Sequence, residues 1–140
     1  MKAWIIAIIL LLGAGLASYY LYLHRAPTES AAVAEANRGF AACAIPATPP
    51  PPADGATASK DQMLAARRVA AEFDSAITTY TQSLKSVEQR TRDGHEFSAA
   101  ADMQQVAKLA VDKHNAAIER DQKVADQVNC EIRKFKARGN

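Results

Sequence analysis

From Met63 to Val87 the apolar residues Met63, Ala66, Ala70, Phe73, Ile77, Tyr80, Leu84 and Val87 follow one another at steps of three and four. That alternation is a heptad seam, the spacing that keeps one stripe of an α-helix turned towards a partner helix. Ser59-Lys60-Asp61-Gln62 stands just before it as a capping box, in which serine hydroxyl and glutamine amide satisfy each other's backbone N–H. Arg90, Arg92 and Gly94 mark the C-terminal stop. A second helix is expected from near Ser98 to Arg138, with Glu96 and Asp102 acidic at its positive end and Gly139 beyond it. Its stripe is Met103, Val106 or Ala107, Ala110, His114, Ala117 or Ile118, Asp121, Val124, Val128, Ile132 and Phe135. Two polar residues interrupt it, so the apolar face is looser than that of the first helix.

A tight connection around Gly94 predicts an antiparallel hairpin in which positions face each other when their numbers sum to about 188. Asp74 then faces His114, and Arg67 faces Asp121. Polar residues at seam positions fix register at some cost in stability, and these pairs are expected in that role.

Upstream the pattern changes. Ala3 to Leu23 holds no charged residue, and at 1.5 Å per residue it forms roughly 31 Å of helix, enough to cross a hydrocarbon core. Tyr19, Tyr20 and Tyr22 lie at its far end, where an interfacial aromatic belt belongs, which favours an uncleaved anchor. Gly15-Leu16-Ala17 offers the alternative, a signal peptide cleaved before Ser18 to leave a soluble periplasmic protein. Lys2 before the span biases the N-terminus to the cytoplasm. Next, Ser30 to Arg38 reads as a short alanine-rich helix between Pro27 and Gly39, with too little apolar bulk to fold alone. Pro49 to Pro52 follow as a stiff polyproline spacer, closed by the turn residues Asp54-Gly55.

The expected fold is therefore all-α: a signal anchor or signal peptide over residues 1–25, an Ala/Pro-rich linker over 26–58, and a long, coiled-coil-like antiparallel two-helix hairpin over 59–138. About 80 residues make a small core, so a disulfide, a protein partner or self-association is expected to add stability. Cys43 and Cys130 form an even pair, and in an exported chain the expected bond joins them within one molecule, with an intermolecular bridge as the rival.

Charge removes some function classes. The chain carries 17 basic and 15 acidic residues, a net charge of +2, which is no nucleic-acid footprint. The locally basic Arg133, Lys134, Lys136 and Arg138 suit a helix C-terminus. His24, His95 and His114 are scattered, and the cysteines have no CxxC spacing, so neither a metal cage nor a catalytic base with its nucleophile emerges. No phosphate-cradling glycine loop or hydrolase motif is present. The expectation is a non-enzyme without cofactor.

Cys43, the proline run, Asp54-Gly55-Ala56-Thr57-Ala58-Ser59, Met63, Phe73, Tyr80-Thr81-Gln82-Ser83-Leu84 and His114-Asn115-Ala116-Ala117 together resemble uncharacterised exported proteobacterial proteins. The likeness spans roughly residues 43 to 137 and implies short helical hairpins behind a signal sequence. Ser83 stands where that family has a cysteine and His114 where it has a tyrosine, which leaves Cys130 as the partner for Cys43. The resemblance implies fold and export but no activity. The expected function is thus an envelope structural or interaction protein, single-pass in the bacterial inner membrane through residues 3–23, with its C-terminal domain periplasmic. A phage-type inner-membrane lysis subunit is the alternative.

Overall fold

The computed structural model describes residues 29–96 and 98–139, and among these every regular element is helical. The expected membrane segment lies outside the described residues, and no described helix is long and apolar enough to cross a membrane. Three helices follow in order: α1 over Ala31–Ala42, α2 over Lys60–Gly94 and α3 over Ala100–Arg138. Each packs on the other two.

The start of α2 is fixed by its capping box: Gln62 N–H donates to Ser59 Oγ at 3.2 Å, and Ser59 N–H donates to Gln62 Oε1 at 2.7 Å. Its end departs from the expected glycine cap, since Gly94 is the last helical residue and has no positive φ. His95 follows as the cap and Ser98 N–H donates to its carbonyl at 2.9 Å. The first residue of α3, Ala100, has Asp102 in its first turn but no side-chain cap.

Six of the eight seam residues of α2, Met63, Phe73, Ile77, Tyr80, Leu84 and Val87, are buried, and Ala66 and Ala70 are half-buried. On α3, Val124 and Val128 are buried with Val106, Ala110 and Ala117, while Ile132 is half-buried near the end.

The main addition to the expected core is α1. Val33, Ala36 and Phe40 repeat the three-four spacing on a helix of 12 residues, and all three are buried among the seam residues of α2 and α3. Too short to be stable alone, this helix is held by packing its one apolar face. Ser30 caps its start, accepting from Val33 N–H at 3.3 Å. The helix does not stop at Gly39 as its sequence leads one to expect, because that glycine serves a close crossing instead. A Cβ at position 39 would stand 2.6 Å from Val87 Cγ1.

Candidate functional site

Among the described residues, the feature with most structure built around it is the strap from Cys43 to Gly55. It leaves α1 at Cys43, whose thiol donates to Gly39 O at 3.4 Å and is close enough to Tyr80 to act on its phenol. Ile45 comes next, at a recess shared with Tyr80, Ala117 and Arg120. Pro49 to Ala53 then line a predominantly apolar groove of about 210 Å³ with Ala66, Val69 and Ala70 of α2 and Val124 and Val128 of α3. The prolines are therefore not a free spacer. Their fixed backbone, which needs no ladder partners, lets the chain run extended along two helices.

A polar latch closes the strap. The Asp54 side chain accepts from Ala56 N–H at 3.0 Å and its carbonyl from Ala58 N–H at 2.8 Å, which turns the chain into α2. Gly55 is pressed against the backbone of α3, so closely that a Cβ there would stand 1.9 Å from the Glu131 carbonyl oxygen. Its N–H donates to Glu131 Oε2 at 2.8 Å, while Lys134 Nζ donates to Oε1 at 2.7 Å. Those two donors, the ammonium first, hold the Glu131 carboxyl below the usual carboxylate range. Arg138 completes the latch by donating to Ala56 O at 3.1 Å and Ala58 O at 2.9 Å, with its guanidinium 4.9 Å from the Phe135 ring centroid.

One other charged contact joins distant parts of the chain, and one lies within α2. Glu35 of α1 meets His95 Nε2 at 2.9 Å beside the connection between α2 and α3, and Arg92 pairs with Glu88 one turn earlier at 2.8 Å. Burial first, and the Cys43 sulfur second, raise the Tyr80 phenol, opposed by the Arg120 guanidinium. Among the described residues, no group of three or more His, Cys, Asp or Glu side chains is placed to hold a metal ion.

The expected polar pairs do not meet. Asp121 has Asp74 as its neighbour, and no ion pair among the described residues joins Asp74 to His114 or Arg67 to Asp121. Burial and the facing Asp74 carboxylate raise the Asp121 carboxyl above its ordinary value. The cause is a register one heptad away from that expected, because α2 runs to Gly94 and α3 begins only at Ala100, a longer connection than a tight turn around Gly94. A slide of seven residues returns every seam residue to a seam position but exchanges the polar partners.

Nor does the structure bring Cys43 and Cys130 together. Both are free and half-buried. Cys43 lies by Tyr80, level with Ala117, whereas Cys130 is 13 residues further along α3, or about 20 Å. A disulfide needs Cα atoms within about 7 Å. The bond requires the strap to fold back on itself, whereas it passes Tyr80 at Ile45 and continues along the groove from Pro49 to Ala53.

Of the residues that tie the strap down, sequence pattern marks Gly55 as a turn and Arg138 as part of a basic helix end, and it carries no signal at Glu131 or for their meeting. Comparison with protein-family models, with curated proteins and with solved structures finds no match.

Proposed function

We propose that this chain is a non-catalytic envelope protein, anchored in a bacterial inner membrane by residues 3–23, that presents a braced antiparallel hairpin on the periplasmic side as a docking element for a protein partner. The uncharged run from Ala3 to Leu23, set immediately before a packed helical body, carries this reading. Arg138 bonding to the backbone just before α2 supports the antiparallel arrangement of α2 and α3. The resemblance of residues 43 to 137 to exported helical proteins supports export.

A helical body of this kind favours docking over catalysis. Most of the described carboxylates lie on solvated faces, and the polar recess of about 430 Å³ at the α2–α3 connection, lined by Arg92, Asp93, His95, Glu96 and Met103, is open to solvent and not the apolar enclosure that small-molecule chemistry favours. Large exposed apolar side chains away from the strap, Leu64 on α2 and Val111 on α3, are available to a partner.

Membrane fractionation with N-terminal sequencing tests the anchor. The expected result is an intact N-terminus that sediments with membranes and resists carbonate extraction, with the C-terminal part open to protease from the periplasm. A mature chain beginning at Ser18 in the soluble periplasm would falsify the anchor and leave the docking body as a free protein.

A further inference from the structure

We infer that the helical body stands on the membrane with the α2–α3 connection towards the lipid surface and the strap latch, with the C-terminus, at the far end. The inference rests on the reading of residues 3–23 as an anchor, and adds to it which end of the body a partner meets first.

Chain length and the docked strap determine the polarity. Seven residue steps separate Leu23, the end of the apolar run, from Ser30, so the cap of α1 lies within about 25 Å of that end even at full extension. Ser30 begins the helix that carries Glu35, and Glu35 contacts His95 in the connection at 2.9 Å. Gly39, one turn later, crosses α2 at Val87. The strap then proceeds away from this end, past Tyr80, then Val124 and Val128, to the latch at Glu131 and Arg138. A free spacer of the same residues would have left either end able to face the bilayer. Docked along the groove, it leaves the connection as the near end.

Electrostatics does not reverse this polarity. Four basic residues, Arg133, Lys134, Lys136 and Arg138, crowd the far end, but Lys134 is paired with Glu131 and Arg138 with two strap carbonyls. Arg133, Lys136 and Lys60, at the adjoining start of α2, remain, three cations that fall short of the clusters of about four to eight that read as anionic-lipid binding. The 39 residues of α3 give the body a length of about 58 Å, which sets the height of the far end.

Full-length protein reconstituted in vesicles of phosphatidylethanolamine and phosphatidylglycerol, with an energy-transfer acceptor on a headgroup, tests the polarity. Cys43→Ser and Cys130→Ser remove the native thiols, and Gly94→Cys or Gly139→Cys receives an impermeant donor dye. Position 94 has no atom within 4 Å of a Cβ, and the nearest to position 139 is 3.6 Å away. The exposed pair Glu96→Cys and Lys136→Cys repeats the measurement if either glycine variant loses helicity. Strong transfer from position 94 and near-background transfer from 139 is expected. Equal transfer from both, or the reverse order, in protein that stays with the vesicles overturns the polarity alone. Protein that does not associate with the vesicles overturns the anchor and the polarity with it.

Discussion

At Gly55 a single hydrogen separates the strap backbone from that of α3, so the side chain at this position decides whether the latch can close. Gly55→Ala puts a methyl group where the Glu131 carbonyl oxygen already stands, and neither partner is a flexible side-chain end. The expected cost is about 1 to 3 kcal/mol, the range for forced overpacking, read as a lower thermal midpoint. Glu131 adds a pH dependence with a definite sign. Its folded carboxyl is depressed by Lys134 and the Gly55 N–H, so the contribution is present above the unfolded carboxylate value and is lost as pH falls through the lowered folded value. Glu131→Gln should therefore flatten the acid limb of the stability profile. Asp121 works in the opposite sense. Its raised carboxyl means that folding is favoured as pH falls through that raised value, and that the Asp74 and Asp121 pair opposes folding at neutral pH. Asp121→Asn should raise the thermal midpoint at pH 7 and do little at pH 3, and equal midpoints for variant and parent at pH 7 would contradict the facing carboxylates. The thiols give a third check at this scale. Alkylation of the unfolded, unreduced protein should count two free cysteines per chain, and a Cys43–Cys130 peptide in the digest would contradict the straight path of the strap.

Among the elements, the two long helices were legible because each rule acts over a short stretch of chain. A capping box fixes the start of α2, and an unbroken three-four repeat fixes its buried face. Register was not legible, for the reason that made the seam so clear. A heptad pattern is unchanged by a slide of seven residues, so the apolar positions accept both alignments, and only the length of the connection chooses between them. That length depends on where both helices stop, and neither Gly94, which can sit inside a helix or beyond it, nor Ala100, whose helix starts without a side-chain cap, marks the limit in the sequence. The fate of α1 was hidden differently. Val33, Ala36 and Phe40 carry the same spacing as the seams, but three residues on a short alanine-rich stretch cannot say whether a groove exists to receive them. Phe40 is 1 % exposed, so Phe40→Ala should cost about 3 to 5 kcal/mol, as large core truncations do. Truncation of a residue in a free linker costs almost nothing. Chemical denaturation of residues 29–139 with and without the substitution measures the difference.

For the whole molecule, the decisive property is that residues 29–58 do the work of a third helix. A pair of long helices buries one stripe on each and leaves the flank of that stripe open, which is why a bare hairpin of about 80 residues is marginal. Here α1 fills the flank at the end near His95, and the strap lies over the remainder as far as the latch. Proline suits that second half because its backbone lacks the N–H that a helix or sheet would have to satisfy. Burial of Val33 and Phe40 alone is worth about 3 to 6 kcal/mol, a large share of the roughly 5 to 15 kcal/mol that keeps a small domain folded. A fragment of residues 59–139 should accordingly be less helical and melt at a lower temperature than residues 29–139. Its midpoint should also rise with protein concentration, since Phe73, Ile77, Tyr80 and Leu84 then lack the cover of α1 and the strap and a second copy can supply it. Adding residues 29–58 as a separate peptide should recover part of the lost stability. Identical melting curves for the two fragments would mean that α1 and the strap are passengers on a self-sufficient pair of helices.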